Sequence, residues 1–66
     1  MENKPTIGQQ LLRERTRLGM TQGEVYTKSK ISVSTIGALE QGRKTEASTY
    51  VIRQLSAALD YYKFEL

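Results

Sequence analysis

The 66-residue sequence contains no cysteine, no histidine and no tryptophan, and only one proline. Without cysteine there is neither a disulfide framework nor a thiolate metal site, and without histidine the usual general base and the commonest zinc ligand are both missing. Nucleophilic, acid–base and metal chemistry are therefore disfavoured, and the residues imply no metal and no cofactor. Glu14, Glu24, Glu40 and Glu46 supply carboxylates, but each also fits an ordinary place on a helix surface, at a cap or in an ion pair. No apolar run approaches the roughly 20 residues of a membrane span, and Met1 to Thr6 lack the apolar region of a signal peptide. These absences place the chain in the cytoplasm, with no membrane partner. A domain of this length buries only about 60 % of its unfolded surface, which leaves little room for a walled catalytic pocket.

What is present is a modest basic excess, ten Lys/Arg against seven Asp/Glu, for a net charge of +3. Such a balance suits an acidic partner, and equally an ordinary soluble surface. Met1 to Thr6, which holds Pro5, reads as a short flexible arm, and residues 7–66 read as one unit without repeats or low-complexity stretches. Ile7, Leu11, Leu12 and Leu18 recur at helical spacing and predict a first helix from Ile7 to Leu18, closed by Gly19. Thr21, three residues ahead of Glu24, forms a capping box for a second helix over Gln22 to Ser29. Ser32 is a further N-cap candidate. Val33, Ile36 and Leu39 follow it at spacings of three, which predicts a third helix ending near Gln41 with these residues near one face. Ser48 caps a fourth helix with Val51, Ile52, Leu55, Ala58 and Leu59 inward, and Tyr61 to Leu66 is apolar enough to fold back as a fifth helix or a turn.

Two short helices separated by Lys30-Ile31-Ser32 form a helix-turn-helix arrangement, whose second helix lies in a major groove. The stretch Gly19-Met20-Thr21-Gln22-Gly23-Glu24-Val25, then Ile31-Ser32, Ser34-Thr35-Ile36 and Leu39-Glu40-Gln41-Gly42-Arg43-Lys44, is similar to the helix-turn-helix domain of the Cro and phage-repressor family, the lambda-repressor-like fold. The resemblance spans Ile7 to Leu66. It implies an all-α, compact domain of four to five helices, and a DNA-binding transcriptional regulator rather than an enzyme.

Carried onto matching positions, the resemblance gives Gln22 a phosphate contact, helped by the positive end of the helix dipole. Arg43 and Lys44, just after the third helix, are expected to reach the flanking backbone, and Thr35 matches the family's small hydroxyl near it. Arg15 and Glu40 match a structural ion pair between the first and third helices. Base reading falls to Val33, Ser34, Gly37 and Ala38, with Ser32 at the helix start and Lys30 at the turn completing the contact set. None of the four reading positions supplies the bidentate side chain that discriminates purines. Specificity would then draw on DNA shape, on Lys28 and Lys30, or on the arm with Lys4. Three further departures from the family pattern stand out. Tyr26 occupies a usually small position, which would alter the crossing of the second and third helices. Lys30 replaces a turn glycine, and the proline usual after the third helix is absent around Thr45 and Glu46.

One recognition helix reads few bases, so a homodimer on a palindromic operator is expected, with half-sites about 34 Å apart. Tyr61, Tyr62, Phe64 and Leu66 are candidates for the dimer contact, with capping of the chain's own core as the equal alternative. Stand-alone domains of this kind resemble phage or mobile-element repressors. A different reading is a protein-interaction module, an antitoxin or adaptor with weak or no DNA binding, favoured by the small Gly37 and Ala38 on the exposed face.

Overall fold

The computed structural model describes residues 4–66, so the first half of the expected arm, Met1 to Asn3, lies outside the described residues. Four helices follow one another: α1 (Ile7–Arg17), α2 (Gln22–Ser29), α3 (Val33–Glu40) and α4 (Thr49–Leu59). Each begins at a hydroxyl. Thr6, Thr21, Ser32 and Ser48 accept from backbone N–H groups three residues on, and the boxes Thr6/Gln9 and Thr21/Glu24 are closed in both directions. Thr6 is therefore part of the α1 start rather than of a free arm.

The helix ends are equally local. After α1, Gly19 takes a left-handed conformation (φ 69°), with Met20 N–H donating to Arg15 and Gly19 N–H to Thr16. The same paired pattern closes α3 at Gly42 (φ 80°), where Arg43 N–H donates to Ala38 and Gly42 N–H to Leu39. At α4 a non-glycine residue, Asp60 (φ 52°), makes the left-handed turn. That turn ends the helical path, and no fifth helix forms over Tyr61–Leu66.

Leu11, Val25, Ile31, Ile36, Leu39, Leu55 and Leu59 form the buried core, with Met20, Ala47, Val51, Tyr61 and Phe64 packed against it. Two expectations shift here. Val33 is exposed, because each three-residue step falls about 60° short of a full helical turn and carries it off the Ile36–Leu39 face. On α4, Ser56 is buried while Ile52 and Ala58 are only half-buried.

The C-terminal segment returns along α1, held chiefly by Gln10, which is 1 % exposed. Its carboxamide accepts from Glu65 N–H at 2.8 Å and donates to the carbonyls of Glu65 at 3.0 Å and Pro5 at 3.2 Å. Arg13 donates to the Tyr61 hydroxyl at 3.1 Å and the Lys4 ammonium to the Leu66 carbonyl at 2.9 Å. Tyr61 and Phe64 meet edge to face at 5.0 Å and cover the core, whereas Tyr62 and Leu66 remain exposed. Of the four residues considered for a dimer contact, Tyr61 and Phe64 thus pack within the chain.

Candidate nucleic-acid interface

The α2–turn–α3 unit is fixed by buried polar groups as well as by Val25, Ile31 and Ile36. Ser29 at the end of α2 is fully buried; its hydroxyl accepts from Ile31 N–H at 3.0 Å, and its carbonyl accepts from Gln54 of α4 at 3.2 Å. Between them Lys30 takes a left-handed conformation (φ 64°) with its N–H on Tyr26. The Tyr26 ring is exposed and lies 6.0 Å from the Lys30 ammonium. The ring is therefore not buried between α2 and α3.

Arg15 and Glu40 form a two-pronged ion pair between α1 and α3, with Nε at 2.8 Å and Nη2 at 2.9 Å from the two carboxylate oxygens. Their side chains are only 17 % and 5 % exposed. The Glu40 hydrogen bonds hold the Arg15 guanidinium above its ordinary range, against the opposing effect of burial. Arg15 Nη1 also donates to the Met20 carbonyl at 2.8 Å, which ties down the loop into α2. Gln22, half-buried at the first turn of α2, donates from Nε2 to Glu40 Oε1 at 2.9 Å. A single part-buried network thereby joins α1, α2 and α3.

On the outer side, Ser32, Val33 and Ser34 are exposed, while Thr35 and Ala38 are half-buried. The Ser32 hydroxyl caps Thr35 N–H and donates to Thr35 Oγ1 at 3.0 Å. Gly37 departs from the expected exposed face: it is buried beneath the Gln22 carboxamide, whose nitrogen lies 3.9 Å from where a Gly37 Cβ would stand. Past the helix end, Arg43 and Lys44 are exposed, with Arg43 Nε donating to Gln41 Oε1 at 3.0 Å. Lys28 and Lys30 are exposed at the other end of the unit.

Ser34, Ala38 and Gln41 share one line at i, i+4 and i+7, so the outer face of α3 carries a carboxamide that reading the helix only as far as Ala38 overlooks. The spacing alone would have shown it. By contrast, Gln54 and Gly8, which set the position of the unit through contacts from α4 and α1, carry no local signal of that role.

Among the described residues no group of His, Cys, Asp or Glu is arranged to hold a metal ion, and no helix is long and apolar enough to cross a membrane. The family model described as helix-turn-helix matches residues 11–66, from the middle of α1 to the end of the chain. No curated protein and no solved structure matches the chain.

Proposed function

This chain belongs to the Cro/C1-type helix-turn-helix family of DNA-binding regulators, and we propose that it is a sequence-specific repressor that places α3 in the major groove of a palindromic operator as a cytoplasmic homodimer. The observation that carries this reading is the placement of charge around α3. Arg43 and Lys44 flank its C-terminal end and Lys28 and Lys30 the preceding turn, while Arg15 is neutralised inside by Glu40. These four exposed basic side chains stand at the two ends of the unit, where a duplex lying along it would run.

In this arrangement Gln22, Thr35, Lys30, Arg43 and Lys44 meet the phosphate backbone, and Ser32, Val33, Ser34 and Ala38 meet base edges. Ser34 serves as a small hydrogen-bonding group, and Val33 and Ala38 suit thymine methyls. Gln41 adds a carboxamide at the end of the same face. Gly37 contributes no side-chain contact of its own and lies beneath Gln22. Because Gly37 is covered, the small-residue surface that favoured a protein-docking role is reduced. Tyr62 and Leu66, the exposed pair of the C-terminal segment, remain for the dimer contact.

Selection of bound duplexes from a randomised pool tests the reading. Recovery of a palindrome with half-sites about 34 Å apart supports it, as does a changed base preference on replacing Val33 or Ser34 with unchanged non-specific affinity. Recovery of no sequence above background, or an identical preference in those variants, contradicts it.

A further inference from the structure

Gln22 and Glu40 lie on different helices, and Glu40 does not need Gln22 for its charge to be satisfied, because Arg15 already donates to both of its oxygens. The contact is better understood from the Gln22 side. A glutamine at the first turn of an exposed helix ordinarily samples several rotamers. Here Glu40 Oε1 accepts one N–H of the carboxamide at 2.9 Å. Gly37 lies beneath, and a Cβ there would stand in ordinary contact with the carboxamide, 3.9 Å from Nε2 and 4.0 Å from Oε1. A primary carboxamide has two N–H donors, so one donor and the carbonyl oxygen stay uncommitted. The charge of Glu40 would repel a phosphate placed near Gln22, but Arg15 cancels it within the same network.

Resting on the DNA-binding reading above, we propose that Glu40 is a positioning residue for duplex binding: paired with Arg15, it fixes the Gln22 carboxamide so that its remaining N–H is presented to a phosphate. The ion pair then does more than join α1 to α3. It sets in advance a contact that would otherwise be ordered only on binding, and the saving appears as affinity.

The experiment measures binding of a labelled random-sequence duplex at low salt to the full chain and to Q22A, E40A and Q22A/E40A, each checked for folding by its melting curve. Q22A is expected to weaken binding about fivefold in the parent chain and less than about twofold in the E40A background, where no acceptor holds the carboxamide. An equal loss from Q22A in both backgrounds, so that the losses multiply, overturns the proposal. Where E40A fails to fold because Arg15 is left unpaired, nitrogen relaxation of the Gln22 Nε2 group in the parent chain decides: order matching the backbone supports a fixed carboxamide, and a freely mobile side chain overturns it. Absence of duplex binding by the parent chain overturns the DNA-binding reading as a whole, whereas parental binding with multiplying losses overturns only the role given to Glu40.

Discussion

Gly8 of α1 packs directly on the backbone of Leu39 in α3, so closely that a Cβ at Gly8 would overlap the Leu39 carbonyl group. The two helices therefore cross at backbone contact, next to the Arg15–Glu40 pair that joins the same helices. Together these contacts fix the angle at which α3 leaves the body of the domain, and with it the orientation of Val33, Ser34 and Ala38.

Gly8→Ala is expected to cost about 3 kcal/mol, since the obstructing atoms are backbone and cannot rotate aside. Urea unfolding followed by circular dichroism would read this as a lower midpoint at unchanged slope. A midpoint equal to that of the parent chain would show that α1 and α3 separate freely.

At Gly37 the opposite sign is expected. A Cβ there meets only the Gln22 carboxamide, at 3.9 and 4.0 Å, which is ordinary contact. Gly37→Ala should therefore gain the helix propensity difference, about 1 kcal/mol, and raise the melting temperature by about 4–8 °C for a domain of this size. A lower melting temperature would mean that Gln22 cannot give way.

Glu14 is nearly buried between Arg13 and Arg17, and the hydrogen bond from Arg17 is the main cause that holds its carboxyl below the ordinary 4.5, with burial opposing. The native value lies below the unfolded one. Glu14 therefore contributes stability that is fully present above 4.5 and is lost as the pH falls through the native value. Glu14→Gln should lower the melting temperature at about pH 7 and flatten its fall as the pH drops below about 5. Parallel profiles for the two chains would contradict this.

The Gln10 carboxamide stands in for a strand partner of Glu65, donating to its carbonyl and accepting from its N–H. Gln10→Ala should cost about 2 kcal/mol by leaving these groups unpaired, and hydrogen exchange at Glu65 N–H should speed up while the α2 and α3 amides keep their protection. Unchanged exchange at Glu65 would show that Gln10 does not hold the segment.

Features confined to one turn of chain were readable from the sequence. The Thr21/Glu24 box, the Ser32 and Ser48 caps, and Gly19 and Gly42 all act on partners within a few residues, so residue type and spacing determine them. Contacts between distant segments were not. Gln10 and Glu65 are 55 positions apart, and nothing near Gln10 marks it as buried rather than solvated. The same limit explains Gly37: the periodicity of α3 puts it on the outer face, but the side chain that covers it comes from α2. For Tyr61 to Leu66, composition showed apolar content, while the direction of each side chain depends on how Asp60 turns the chain.

The most direct test of α3 docking on duplex DNA is the salt dependence of binding by the parent chain and by Arg43→Ala/Lys44→Ala. The logarithm of affinity should fall steeply with the logarithm of salt concentration, and the double variant should flatten that slope by about 1.8, or about 0.9 for each phosphate contact removed. No duplex binding at low salt, or a double variant with the parental slope, would contradict it.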